Sequence, residues 1–264
     1  MLMEAKNQIK VQLITIKYAL QREMLNKVTF FSNVIFMLLN NASFLIQWIV
    51  LYSIKDNVGG YQFKEVILLW GIAAGTYGIS HFFFKDVFDL TDMINTGKLD
   101  NYLIQPKNIL ISSITSSIEV SALGDIIYGY IMLFIYGITI KNFILYTILT
   151  ITGGLILVSL AVLVSSLSFW FGRVEIFASS TNNMMTSFAT YPDGIFKGFI
   201  KILFFTIIPL EFSSYLPIKL IINFNPITFI IIILATVLFI TLSFIVFYKG
   251  LERYSSSNLM NTRT

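Results

Sequence analysis

The residues able to carry chemistry are few, and most enzyme chemistries are excluded at once. His81 is the only histidine and cysteine is absent, so neither a histidine cluster nor a thiolate set can hold a metal. A nucleophile–histidine–acid triad would have to run through His81, and no H-E-x-x-H pattern is present. Gly97–Lys98 is followed by Leu99 and lacks the upstream glycine, so there is no phosphate loop to cradle ATP. What remains is two sets of polar residues, one of amides and isolated acids in apolar surroundings and one of aspartates in a polar connection. Asn33, Asn40 and Gln47 step by seven and fall on one helix face; their amides suit hydrogen bonding across helices or to a passing molecule. Glu119, Asp125 and Glu211 are isolated acids, readable as proton-relay groups or as members of local ion pairs. The second set is Asp86, Asp89 and Asp92, which step by three along KDVFDLTDMINT and offer charge along one side of a short helix.

These residues need elements to hold them, and the composition says which. Only 12% of 264 residues are charged, whereas 56% are hydrophobic and 16% aromatic. Thirty-two charged side chains cannot coat a soluble fold of this size. The apolar runs predict an all-α polytopic membrane protein, a single transmembrane domain over 1–264 with six spans at about 28–52, 65–84, 115–138, 143–171, 198–216 and 227–248. The runs lack the period-two alternation of a barrel strand. Pro209, Pro217 and Pro226 leave room for a re-entrant segment between spans 5 and 6. Residues 1–27 space Ile9, Leu13, Ile16, Leu20 and Met24 at helical intervals opposite Lys10 and Lys17. This predicts an interfacial amphipathic helix, or one packed on a soluble partner, and not a cleaved signal.

With the N-terminus in the cytoplasm, fourteen of the eighteen basic residues fall inside and Lys55, Lys64, Lys141 and Lys219 fall outside. That bias favours a multi-pass protein of the cytoplasmic membrane with both ends cytoplasmic. The longer connections, 85–114 and 172–197, then face the cytoplasm. The helix at 85–96 is either a solvated acidic helix at the membrane surface or a docking helix for a cytoplasmic partner; Gly97 ends it.

The run GKLDNYLIQP that follows, between the second and third spans, resembles the G-[ED]-L-D-x-x-L-x-x-P signature of a six-span branch of the ABC type-2 permeases. Further pieces in the same order are Leu123–Gly124–Asp125, Ala189-Thr190-Tyr191-Pro192, Ile208–Pro209, Leu216–Pro217 and the closing run from Tyr248 to Tyr254. Lys98 stands where many relatives carry an acid. The resemblance implies a transmembrane permease subunit of an ATP-driven exporter, not itself an enzyme. A separate ATPase subunit would bring ATP and Mg, no cofactor being held by this chain, and a second six-span permease, the same or a related chain, would complete the transporter. Residues 85–108 would then be the cytoplasmic coupling segment, with Asp86, Asp89, Asp92, Asn95 and Asp100 facing the ATPase and Phe88, Ile94, Leu99 and Tyr102 packing. Asn33, Asn40, Phe44, Gln47, Trp48, Phe204 and Phe205 would line a dimer seam or cargo path. No strongly charged pocket is evident, so a hydrophobic or amphiphilic cargo (lipid, drug or antimicrobial peptide) fits best, with membrane lipids as surroundings and no nucleic acid. A membrane-embedded lipid-modifying enzyme using Glu119, Asp125 or His81, and a non-transporting scaffold or sensor, are the alternatives.

Overall fold

In a computed structural model, residues 2–199, 201–202 and 208–255 are described, side chains from residue 6 onward. The chain is helical. In order come α1 (Leu2–Glu23), α2 (Lys27–Tyr52), α3 (Phe63–Phe84), α4 (Leu90–Thr96), α5 (Ile109–Ile114), α6 (Ala122–Gly137), α7 (Ile140–Ser166), α8 (Glu175–Phe188), α9 (Leu216–Ile222) and α10 (Pro226–Leu251). Polar residues start these helices by satisfying free backbone N–H groups. Asn26 caps α2 through Thr29 N at 3.2 Å, Asn108 caps α5 through Ile111 N at 3.0 Å, and Thr139 caps α7 through Asn142 N at 3.1 Å. Gly97, with φ 78°, ends α4 in the left-handed region as the sequence predicts.

Helix α3 is the centre of the bundle. Most of its residues from Val66 to Ser80 are buried, and it packs on α6 and α7. The close packing follows from small residues: a Cβ on Gly71 would meet the Gly129 carbonyl oxygen at 3.1 Å, and one on Gly78 the Ala122 carbonyl oxygen at 2.9 Å. Tyr146 on α7 donates to the Gly71 carbonyl at 2.7 Å. By contrast, α2 and α10 leave large apolar residues exposed along their length, including Phe36, Ile49, Ile230 and Leu234.

The two ends of the bundle are distinct. At the basal end, Gln8 of α1 accepts from Asn108 N at 3.1 Å, Gln12 accepts from the Thr115 hydroxyl, and Phe169 stacks edge-on with Tyr254. The polar side of α1 thus holds the chain, while Ile9, Leu13 and Met24 stay exposed. At the distal end, the 53–62 loop packs on the chain after α8: a Cβ on Gly59 would lie 2.9 Å from Pro192 Cβ.

Among the described residues, four helices, those beginning at Lys27, Phe63, Ile140 and Pro226, are long and apolar enough to cross a membrane. Three boundaries differ from the sequence reading. The helix at the expected third span begins at Ala122, not near 115, because Ser116 and Ser117 are drawn out of helix by Asp86. Residues 172–197 do not stay at one end: Glu175 lies basally beside Asn95, whereas Tyr191 lies distally against Trp48. Helix α8 joins the two. The expected span 198–216 falls partly outside the described residues. Its described part is a π-helical turn, Glu211–Tyr215, leading into α9. That turn reaches the middle of the bundle, since a Cβ on Gly153 would meet Ser213 O at 2.9 Å. From there α9 returns to the distal end, where Lys219 binds Asp193 at 2.9 Å.

Candidate functional site

A cavity of about 490 Å3 lies between α2, α3, α8 and the Ser213–Ser214 turn. Helix α2 lends it one wall because Val34, Asn41 and Trp48, seven apart, form its buried seam. Gly124 lets α6 approach that seam, since a Cβ there would come 2.6 Å from Val34 O. The approach brings Asp125 to Asn41, whose Nδ2 donates to Asp125 Oδ1 at 2.7 Å. Phe44 stacks on Trp70 at 5.8 Å, and Trp48 meets Tyr191 edge-on at the same separation. Asp125 Oδ2, Thr76 Oγ1 and Trp70 Nε1 are buried without a hydrogen-bond partner, and all three residues line the cavity. Such a wall offers apolar area with a few unsatisfied polar atoms, the composition of a small-molecule site.

Of the residues expected on a cargo path, Asn40, Phe44, Gln47 and Trp48 line this cavity. Asn33 lies on the same helix toward the basal end, exposed and outside the lining. Phe204 and Phe205 lie outside the described residues. The heptad reading of α2 found the exposed edge of the wall but missed the buried pair one position further round, Asn41 with Asp125. The signal was present in Leu123–Gly124–Asp125, an acid beside a residue that permits close helix approach.

The basal segment after α3 sorts the expected interface residues differently from the sequence reading. Asp86 is not free to face a partner: it is buried, and accepts from Ser116 Oγ at 2.7 Å, Ser117 N at 2.6 Å and Ser117 Oγ at 2.5 Å. Asp89 is exposed. Asp92 pairs with Lys98 at 2.7 Å, which holds the lysine ammonium above its ordinary value. Asn95 donates to Glu175 of α8 at 3.0 Å. Asp100 is half-buried, whereas Ile94 and Leu99 are buried, and the Tyr102 hydroxyl shares a hydrogen bond with Ser116 at 2.9 Å. Phe88 is half-buried and stacks on His81 at 3.9 Å, and His81 in turn stacks on Tyr77 at 3.7 Å. Since Tyr77 lines the cavity, three stacked rings run from the cavity to the basal segment.

The remaining acids are in local pairs. Glu119 meets Lys85 at 2.9 Å, and Glu211 lies 3.6 Å from Lys219. His81 Nδ1 sits 3.1 Å from Tyr77 O and 3.0 Å from Ser80 Oγ, an arrangement that fixes a ring and sets up no nucleophile. No group of three or more possible metal ligands occurs among the described residues.

No curated protein and no solved structure matches the chain. The family model described as ABC-2 family transporter protein matches residues 38–258. That stretch holds most of the α2 wall, all of α3 and α8, the Asn41–Asp125 pair and the whole of GKLDNYLIQP, and with well over half of its length matched the chain belongs to the ABC-2 family of transporter membrane proteins.

Proposed function

We propose that this chain is the permease of an exporter that moves a hydrophobic or amphiphilic molecule across the cytoplasmic membrane, driven by a separate ATPase docked at the basal end. The observation that carries this reading is the ring column Tyr77–His81–Phe88, which links the cavity to the segment expected to couple to the ATPase. Push on Phe88 is then felt at the cavity wall through stacked, stiff side chains, as a rigid-body switch requires. The docking face is Asp89, Asp92 and Lys98, with Asp86 fastening the segment from behind.

In this reading α2, α3, α6, α7, α8 and α10 all cross the membrane, and residues 208–222 belong to an outer, re-entrant piece. Moving Lys197 and Lys201 outside changes the basic-residue balance from fourteen against four to twelve against six, still favouring a cytoplasmic basal end. A second permease covers polar groups that lipid would leave unsatisfied. On α2 these are Asn33, Asn40 and Gln47, and on α8 Ser179, Asn183 and Ser187, all exposed. The test is co-purification with a phosphate-loop ATPase, then ATP hydrolysis that rises on adding an amphiphilic cargo. An ATPase that neither binds the chain nor responds through it would sink the proposal.

A further inference from the structure

We propose that the cavity between α2, α3 and α8 binds an organic cation with an apolar body. The inference deepens the transport reading and rests on it only in calling the bound molecule cargo. Asp125 is 4% exposed, and while Asn41 holds Oδ1, Oδ2 has no partner. No Lys, Arg or His is among the described residues of the lining, so the acid meets the cavity without a countercharge. The wall around it is aromatic, with Phe44 on Trp70 and Trp48 against Tyr191.

Each feature selects the same guest. A carboxyl group withdrawn from water gains most from an arriving positive charge, because removing it from solvent is costly unless it is paired. Aromatic faces carry partial negative charge and attract cations, most strongly when both are desolvated. An anion meets the opposite on both counts, so a phosphate-bearing lipid headgroup fits this wall poorly. The apolar surface then holds the hydrocarbon part of the guest. A volume of about 490 Å3 suits one small molecule, being within the usual range for such pockets.

The test uses the full chain in phosphatidylcholine nanodiscs and equilibrium dialysis against radiolabelled tetraphenylphosphonium, with tetraphenylborate as an anion of the same shape. Binding is counted above that of protein-free nanodiscs. Saturable binding of the cation is expected, with little saturable binding of the anion. Asp125→Asn keeps the side chain's size and an acceptor for Asn41, and is expected to weaken cation binding roughly tenfold or more, through loss of one charge–charge attraction in a site withdrawn from water. Equal cation affinity in both proteins overturns the inference, as does saturable anion binding as tight as that of the cation. Should Asp125→Asn not fold, the cation–anion comparison on the unaltered chain decides alone. Cation binding without any ATPase coupling removes the transport reading and leaves the site standing; coupling without cation binding removes only the site.

Discussion

At the scale of single residues, the polar groups inside this bundle divide into those held and those waiting. Asp86 is held: two hydroxyls and a backbone N–H fill its oxygens. Asp86→Ala leaves these donors unpaired near the point where α3 meets α5, and the expected cost is about 2–3 kcal/mol, a charged hydrogen bond plus incomplete resolvation. Thermal unfolding in detergent checks this, and a melting point unchanged from the parent would show the serines re-pair with water. Asn41 is the hydrogen-bond partner of Asp125 among the described residues, and Asn41→Leu removes it. Destabilisation of about 1–2 kcal/mol is expected, the upper range of hydrogen bonds between membrane helices; Asn33→Leu, which alters an exposed amide, serves as the near-neutral control. The amide stripe read from the sequence lies on this helix with Asn40 and Gln47 at the cavity, while the buried contact to Asp125 is made one position further round, by Asn41. A seven-residue stripe of amides is visible in one dimension, but which of two adjacent stripes is buried depends on where α6 leans, and Gly124 decides that.

Elements carry the coupling. Phe88, His81 and Tyr77 belong to two elements, the turn at Lys85–Asp89 and α3, and their rings stack without a gap between them. Replacing His81 with alanine removes the middle ring while leaving both the cavity lining and the exposed docking face untouched. The expected outcome is an assembled complex whose ATP hydrolysis no longer rises with cargo. His81→Phe, which restores a stacked ring without the nitrogen contacts to Tyr77 and Ser80, is expected to recover most of the response. If alanine couples as well as phenylalanine, the column is mere packing. Charge reversal of Asp89 and Asp92 together addresses the docking face separately and is expected to weaken ATPase binding several-fold, more so at low salt than at high. Helix α8 is the element the sequence hid. It has 14 residues, carries Asn182, Asn183 and several hydroxyls, follows Arg173 and begins at Glu175. Hydropathy reports contact with lipid, and a helix that lines a cavity on one side and exposes polar groups on another gives little of that signal.

For the whole molecule, the disagreement over α8 becomes a question of sidedness. Reading 172–197 as one cytoplasmic connection puts Lys197 on the same side as Lys98. The fold puts Lys197 next to Asp193–Ile195, whose neighbours are Gly59 and Lys219 at the distal end, and leaves Lys98 at the base beside Asp92. The basic-residue bias favours the same orientation in both readings, because most basic residues flank the basal ends of the helices whichever segment is taken as the fifth crossing. The interior was not legible in the sequence, because 198–222 is apolar enough to read as a span although its described part returns to the end it came from. The chain has no cysteine, so single cysteines report position without background. With a membrane-impermeant maleimide on intact cells, Asn57→Cys and Lys197→Cys are expected to label, and Lys98→Cys only after permeabilisation. Asn57 and Lys197 are exposed, so silence at either reflects the membrane and not burial, and Lys98→Cys, on the proposed docking face, is read in cells without the ATPase. Labelling of Lys197→Cys together with Lys98→Cys, and apart from Asn57→Cys, would return α8 to the cytoplasmic side. That result would also dismantle the cavity, since α8 supplies the wall that closes it.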